Sequence, residues 1–245
     1  PLLPGRHYRY PLARAPERLA RRGQQWLFLD YGDRLEAWFA RFADSAEPAA
    51  SLKLSPATPR ALLFGGQTWL LGQADGTLRR TFPVRDSAGR FRFEDARPLT
   101  LPAAAQRLHA VPGQRRILVT VAGGEHRLLE ATSGATLLAL AADGLQGRFA
   151  FNDRGTRVAR IAADDTVRAW GIKARHAELS FQRLWERVWY EGYPAPDFVW
   201  QSSGSGPDFE AKFSLTPLLF GTLKAALVAM IFATPLALGS AIYTA

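Results

Sequence analysis

The chain has 245 residues, of which 47% are hydrophobic and 22% charged, a composition that excludes a disordered protein and allows one large or two small domains. The absence of cysteine excludes a disulfide framework and a thiolate metal site. The net charge of +9 arises in residues 1–180, which hold 27 Lys and Arg against 17 Asp and Glu. Because these arginines are spaced singly, they indicate a solvated basic surface, and no nucleic-acid partner is expected.

Residues 1–24 are expected to be a linker or the remnant of an earlier β unit. The chain begins at Pro1 and ends at Ala245 inside an apolar stretch. We therefore expect the sequence to be a fragment of a longer protein.

Residues 25–178 contain a weak internal repeat of a strand, a tight turn with Gly or Asp, and a second strand. Its copies begin at residues 25, 68, 117 and 157 and read QWLFLDYGDRLEAWFA, TWLLGQADGTLRRTF, ILVTVAGGEHRLLEA and RVARIAADDTVRAWGI. Aligned on the turns, Leu35, Leu78, Leu128 and Val167 are equivalent, at separations of 43, 50 and 39 residues. This spacing is typical of propeller blades, and it predicts that all four residues are buried between sheets.

The turns of the repeat carry hairpin signatures. Asp75-Gly76 and Gly123-Gly124 predict two-residue hairpins, because glycine adopts a positive φ without steric cost. Asp164-Asp165 is a weaker version of the same signal. An antiparallel β-sandwich with regular hairpins is the alternative fold.

The last repeat, GRFAFNDRGTRVARIAADDTVRAWGI at 147–172, resembles a WD40 unit. It has an outer turn, an alternating strand, an Asp-initiated hairpin and the ending VRAW. Trp170 stands where that family has its motif Trp, whereas Gly171 replaces the polar or acidic residue expected beside it. The resemblance implies a mainly β chain with WD40-like propeller blades, as a partial or four-bladed propeller.

No catalytic constellation or metal site is predicted. The histidines lack a second ligand at metal-binding spacing, and each is predicted to be a surface or hairpin residue. They are His7, His109, His126 and His176. The sequence contains neither a phosphate-cradling GxxxxGK[ST] motif nor the GxSxG of a nucleophile elbow. We therefore predict no catalytic, cofactor-binding or metal-binding residue, and the chain is not expected to be an enzyme.

Residues 179–214 are predicted to form a short amphipathic helix and a linker. Ser180 can cap the helix, and Pro194 and Pro196 end it. Its apolar face would consist of Phe181, Leu184, Trp185, Val188 and Trp189. Aromatic residues beside a membrane span favour a helix at the membrane interface, and docking on the propeller is the alternative.

Residues 215–245 are predicted to cross a membrane. From Ala225 to Thr244, 20 consecutive residues carry no charge, and as a helix they would span about 30 Å, the thickness of the bilayer hydrocarbon. Lys224 can reach the headgroups at the start of the span. Pro235 is expected to kink the helix, and the small residues at 237–241 to pack against other helices.

Residues 197–245 resemble the start of the transmembrane core in the C-type permease subunit of bacterial phosphate ABC importers. The matching residues are Trp200, Phe213, Pro217, Phe220, Gly221, Thr222, Leu223, Ala233, Thr234, Pro235, Gly239 and Ala241. Some members of that family carry a large insert between their first and second membrane helices. The resemblance equates the β repeats with this insert and the apolar end with the second helix.

The resemblance implies a permease component of an ATP-driven phosphate import system in the bacterial inner membrane, with a regulatory or partner-binding insert in the periplasm. It implies four partners: a second permease subunit, a cytoplasmic ATPase subunit, a periplasmic phosphate-binding protein and the lipid bilayer. Long domains translocate largely regardless of charge, so the basic insert is compatible with this topology. The alternative is a membrane-tethered β-propeller that binds a partner or senses a signal.

Overall fold

The computed structural model describes residues 10–23, 25–42, 45–142, 149–161, 166–173, 177, 179–204 and 209–245. The chain divides into two compact units. The first unit contains the residues up to 178 together with 189–195, and the second contains 179–188 and 196–245.

The described residues of the first unit form four antiparallel sheets that follow one another along the chain. Sheet 1 contains β1 (Arg18–Arg22), β2 (Trp26–Asp30), β3 (Arg34–Ala40) and β4 (Ala46–Lys53). Sheet 2 contains β5 (Arg60–Leu62), β6 (Trp69–Gly72), β7 (Thr77–Arg85) and β8 (Phe91–Thr100). Sheet 3 contains β9 (Ala105–Ala110), β10 (Arg116–Val121), β11 (His126–Glu130) and β12 (Thr136–Leu140). Sheet 4 contains, within the described residues, β13 (Phe149–Phe151), β14 (Arg157–Ile161) and β15 (Val167–Gly171).

Each sheet is a meander in which every strand pairs with the next, and successive sheets pack face to face. Sheets 2 and 3 are buried on both faces because each packs against two other sheets. Neighbouring residues of one strand point to opposite faces and therefore contact different sheets. In β6, Leu70 packs against sheet 3 and Leu71 packs against sheet 1. Leu128 of sheet 3 likewise packs against Val158 of sheet 4. The chain is therefore mainly β and propeller-like, as the repeat predicts.

Three of the four equivalent repeat residues are buried as predicted. Leu35, Leu78 and Leu128 have 0% of their surface exposed. The prediction for Val167 is wrong, because this side chain is 69% exposed. Trp170 packs with Val158 in the cluster that joins sheets 3 and 4. Strand alternation therefore turns Val167, three residues away, to the opposite face, which no described sheet covers.

The hairpins also differ from the prediction, since two of them have three-residue loops. The backbone amide of Gln73 donates to the carbonyl of Thr77, and that of Val121 donates to the carbonyl of Glu125. Gly76 closes the first loop with φ 83°, the left-handed conformation that ends the common three-residue hairpin. The turn at Asp164-Asp165 lies outside the described residues, as do His7 and His176.

The first sheet begins earlier than the sequence predicts. Arg18–Arg22 forms β1 and pairs along its whole length with β2, so it belongs to sheet 1. Residues 1–24, predicted to be a linker or the remnant of an earlier β unit, therefore include in their described part a strand of sheet 1. The sequence of this strand, RLARR, shows no clear alternation of apolar and polar residues. Its one large apolar side chain, Leu19, is 62% exposed, whereas Ala20 packs in the cluster between sheets 1 and 2.

Two arginines link the sheets, in addition to those that lie on the solvated surface. Arg60 of sheet 2 donates from Nε to Asp30 of sheet 1 at 2.7 Å. Arg80 of sheet 2 donates from Nη1 to the carbonyls of Ala131 and Thr132, at 3.1 and 3.0 Å. A guanidinium has five donors, so one side chain can satisfy several carbonyls at a sheet junction. Part of the positive charge is therefore structural.

In the second unit, the predicted amphipathic helix is reduced to one 3-10 turn, Gln182–Leu184. The Ser180 hydroxyl accepts a hydrogen bond from the amide of Arg183 at 3.3 Å, as expected of a cap. The helix prediction is wrong beyond this turn, because Val188 forms a β-bridge with Asp197. A short hairpin follows, made of β16 (Trp200–Gln201) and β17 (Lys212–Phe213).

The second unit ends in one long helix, α1 (Thr216–Thr244), of 29 residues. Pro217 lies in its first turn, where the missing N–H costs no hydrogen bond. The helix continues through Pro235 and has a length of about 44 Å at 1.5 Å per residue. Within the described part of the chain, it is the helix that is long and apolar enough to cross a membrane.

Candidate functional site

A basic groove of about 950 Å³ runs along the first strands of the four sheets. Every sheet contributes to its lining through that strand: Arg18 from β1, Arg60 from β5, Arg107 and His109 from β9, and Phe149 from β13. In a propeller, the corresponding strands of successive blades surround the central channel. The repeat therefore places residues that are far apart in sequence around one space.

The lining of the groove carries more positive than negative charge. Three arginines line it, whereas Glu17 is the one carboxylate among its described lining residues. Arg60 is already held by Asp30 and lies 3.6 Å from the Glu17 carboxylate. Arg18 and Arg107 are exposed, and their guanidinium groups have no hydrogen bond or ion pair to any described residue. The field in the groove therefore favours an anionic ligand.

Two histidines lie in the groove with fixed rings. The His126 ring is 5% exposed, and its Nδ1 lies 2.9 Å from the Thr120 hydroxyl. It contacts the Phe149 ring edge-on at 4.8 Å between centroids. His109 stacks on Phe151 at 5.7 Å. These contacts fix the positions of both imidazole rings at the groove.

The strand β9 presents its edge to the groove. Gln106, Arg107, Leu108 and His109 all line it. Since consecutive side chains of a strand point to opposite faces, four consecutive lining residues mean that the strand edge itself faces the space. β9 is the terminal strand of sheet 3 and pairs with β10 on one side. The groove therefore offers backbone hydrogen-bonding groups as well as charge.

A second candidate feature is a cluster of hydrogen bonds around Glu191. This residue lies in the segment 189–195, which follows sheet 4 and belongs to the propeller-like unit. One carboxylate oxygen of Glu191 accepts from the amide of Gln67 at 2.8 Å. The other accepts from the amide of Thr68 at 3.0 Å and from Nη2 of Arg115 at 2.9 Å, besides the Thr68 hydroxyl. The segment is thereby fixed to sheet 2 and to the turn before β10.

The charge of Glu191 is stabilised by these partners. Burial by itself would raise its pKa, but the Arg115 charge and the hydrogen bonds from Thr68 and Gln67 outweigh burial and lower the pKa below its ordinary value. The neighbouring aromatic residues strengthen the attachment. Trp189 packs edge-on against Phe82 at 5.8 Å, and its indole N–H donates to the carbonyl of Tyr193. The predicted alternative is a helix that docks on the propeller, and residues 189–195 do pack on the propeller-like unit, but not as a helix.

The surface of α1 forms a third feature. None of its residues is buried, and its large side chains are exposed along the whole length, from Leu218 at 41% to Tyr243 at 91%. Lys224 is its one charged residue. A helix that exposes apolar side chains all round is compatible with lipid and not with water. It could therefore anchor the protein in a membrane.

The segment that leads into α1 is ordered within the second unit. Trp200 pairs with Phe213 across the β16–β17 hairpin, and their rings meet at 5.6 Å. The amide of Ser214 donates to Val199, and the amide of Leu215 donates to Leu184, which leads directly into the first turn of the helix. Both Trp200 and Phe213 belong to the residues that carry the permease resemblance.

The groove could not be found from the sequence because its lining residues lie in different sheets. Of the histidines considered individually, His109 and His126 come together in it. The signal that could have found it is the position of Arg18, Arg60 and Arg107, each in the first strand of a sheet and ahead of a copy of the repeat. Among the described residues, no group of three or more His, Cys, Asp or Glu side chains is placed to hold a metal ion.

No family model matches the sequence, and no curated protein matches it. Many solved structures are similar to this chain over part of their length, and three of them serve as examples. The computationally designed Ika8 protein is 17% identical with a TM-score of 0.44, over 63% of this chain and 45% of that chain. BamB from Moraxella catarrhalis is 13% identical with a TM-score of 0.43, over 63% and 44%. Sqt1 from Chaetomium thermophilum is 11% identical with a TM-score of 0.43, over 60% and 40%. The chain thus spans less than half the length of each of these structures.

Proposed function

We propose that this chain is the membrane-attached permease component of an ATP-driven phosphate import system, with its propeller-like unit outside the cytoplasm. The observation that carries the proposal is α1, whose 29 residues expose an apolar surface and include residues typical of the phosphate permease family. The helix enters the bacterial inner membrane, and the propeller-like unit lies in the periplasm.

The order of elements supports this assignment. The Trp200–Phe213 hairpin directly precedes α1, and Pro217 begins the helix. In the family that residues 197–245 resemble, this is the approach to the second membrane helix. The propeller-like unit then occupies the position of the large insert that some members carry between the first and second helices.

In this system the chain works with a second permease subunit, a cytoplasmic ATPase subunit and a periplasmic phosphate-binding protein. The ATPase subunit hydrolyses ATP, so the chain itself contributes a membrane helix and an interaction domain and is not an enzyme. The propeller-like unit regulates transport or recruits a partner, since solute passes between membrane helices in this family.

A second candidate function is a membrane-tethered β-propeller that binds a partner or senses a signal. The basic groove favours it, because a charged, edge-lined groove is a feature of binding modules and has no place in a membrane path. In this case α1 serves as an anchor alone.

Phosphate uptake tests the proposal. In phosphate-limited cells, deletion of the gene should reduce uptake of radiolabelled phosphate, and the complete gene should restore it. A Met230→Asp variant, which places a charge inside the apolar helix, should restore little uptake, whereas the matched Met230→Leu variant should restore it fully.

Unchanged uptake in the deletion strain, with the protein still found in the membrane fraction, would reject the transport role and favour the tethered interaction module. Purification of the protein together with an ATPase subunit from detergent-solubilised membranes is the supporting biochemical result. Its purification without such a subunit, under conditions that keep other ABC importers intact, would count against the permease assignment.

A further inference from the structure

We propose that the basic groove binds an extended acidic peptide segment of a partner protein, which pairs with the edge of β9. This inference is independent of the transport role, since it rests on the groove alone. Three observations carry it: the exposed strand edge, the excess of positive charge and the size of the space.

The strand edge supplies the binding mode. An extended peptide can add itself to the terminal strand of a sheet, where main-chain hydrogen bonds give affinity and alternate side chains give specificity. β9 lies at the edge of sheet 3, and residues 106–109 line the groove consecutively. β12 is the opposite edge of the same sheet and does not line the groove. Of the two edges of sheet 3, β9 therefore faces the groove and β12 does not.

The charges select an acidic partner. Arg18 and Arg107 have no partner among the described residues, and the opposing lining carboxylate, Glu17, lies beside Arg60. A guanidinium binds a carboxylate through paired N–H donors, which gives both energy and orientation. Asp and Glu side chains on alternate positions of an added strand would meet these groups.

The size and lining of the groove favour a peptide over a small anion. Its volume of about 950 Å³ lies near the upper end of the roughly 300–1,000 Å³ range of ligand pockets, far beyond the needs of inorganic phosphate. Leu108, Leu118 and Phe149 contribute apolar surface beside the charged side chains. Such mixed lining fits the side chains and backbone of a peptide.

Binding of a fluorescein-labelled Asp/Glu-rich peptide to the full chain in detergent, followed by fluorescence anisotropy, tests the proposal. The Asn/Gln counterpart of the peptide should bind at least ten-fold more weakly, because charge-assisted hydrogen bonds are lost. Arg107→Gln and Arg18→Gln should each weaken binding by about ten-fold. The matched control is Arg154→Gln, an exposed arginine outside the groove lining, which should leave the affinity unchanged.

Hydrogen exchange locates the peptide and separates edge pairing from simple charge attraction. The acidic peptide should slow amide exchange in residues 105–110 and leave residues 136–140 of the other edge unchanged.

Equal affinity of all three arginine variants, equal binding of the Asn/Gln peptide, or no added protection in β9 would each overturn the proposal. Displacement of the peptide by inorganic phosphate or by an oligonucleotide at equal charge concentration, with protection of β9 by that competitor, would assign the groove to a different anion. Circular dichroism of each variant shows whether the sheets are intact.

Discussion

At the scale of single residues, Glu191 attaches a short chain segment to the propeller-like unit through polar contacts. Its carboxylate accepts four hydrogen bonds, from Gln67, from the amide and hydroxyl of Thr68, and from Arg115. Each donor would otherwise need another partner at the junction of sheets 2 and 3. The seven residues from Trp189 to Ala195 consequently belong to the propeller-like unit, although the chain on both sides belongs to the other unit.

Replacement of Glu191 by Gln should lower the free energy of unfolding of the propeller-like unit by about 1.5–3 kcal/mol, because Arg115 loses a charged partner. Urea unfolding followed by tryptophan fluorescence measures this difference. The matched control is Glu47→Gln, on the exposed side of β4, which should change the stability by less than about 0.5 kcal/mol. Equal effects of both substitutions would contradict the anchoring role.

The same carboxyl predicts how stability depends on pH. Its pKa in the folded protein lies below the ordinary value of 4.5, so folding is favoured by its ionised form. This contribution is fully present above the unfolded pKa and is lost as the pH falls through the folded pKa. The stability difference between the wild type and Glu191→Gln should therefore stay constant at neutral pH and shrink below about pH 4.5. A difference that grows on acidification would show that the carboxyl is destabilised by its burial.

The residue scale also explains what the sequence could not predict. The burial of Leu35, Leu78 and Leu128 follows from repeat spacing, because each copy needs one apolar residue after its turn. Thr68, one partner of Glu191, lies more than a hundred positions away in the sequence. No local sequence pattern can therefore predict this contact. The same holds for Arg18 and Arg107, which come together only when the sheets are stacked.

At the scale of elements, the sheets differ in how completely their faces are covered. Sheets 2 and 3 are packed on both faces, whereas sheet 4 buries the face with Val158 and exposes that with Val167 and Ile161. The repeat pattern predicts the strands of sheet 4 but not which face is buried, since both faces carry apolar residues. Coverage by a neighbouring sheet decides the outcome.

Aspartate substitutions on the two faces of sheet 4 should therefore have different effects. Val158→Asp should destabilise the propeller-like unit by about 3 kcal/mol or more, because it buries a charge without a partner. Val167→Asp should cost no more than about 1 kcal/mol, the loss of strand propensity at an exposed position. Thermal unfolding of the two variants compares them directly. If Val158→Asp does not fold, Val158→Ala and Val167→Ala provide the same comparison, and equal losses would contradict the assigned faces.

The elements of the second unit predict a membrane topology. In the proposed assignment, the chain enters the membrane from outside the cytoplasm after the hairpin of β16 and β17. An alkaline phosphatase reporter fused after Gly204 should then be active, because this enzyme folds only outside the cytoplasm. A green fluorescent protein of the type that folds only inside the cytoplasm, fused at the same position, should be dark. The opposite pattern would reverse the assigned orientation of α1.

At the scale of the whole molecule, the two units combine opposite solvent preferences in one chain. The propeller-like unit buries its apolar residues between sheets, whereas α1 exposes them along its whole length. The sequence predicts this division well, because a two-residue period and an uninterrupted apolar run are both local signals. It does not predict that residues 189–195 return to the propeller-like unit, since the aromatic residues of this segment suit a membrane interface equally well.

The last prediction concerns the division of labour between the two units. If transport proceeds between membrane helices, the propeller-like unit regulates or recruits and does not carry the solute. Removal of residues 17–178 from the protein as the cell makes it, with Trp189 and Tyr190 changed to Ser, should then leave phosphate uptake and phosphate-stimulated ATP hydrolysis measurable. The deletion starts before β1. The two serines replace Trp189, which packs on Phe82, and Tyr190, which is buried in the folded protein. The affinity for the phosphate-binding protein is expected to change, because the basic groove is lost. A truncated protein that still purifies with its ATPase subunit but supports no uptake would contradict this prediction and would make the propeller-like unit part of the transport mechanism.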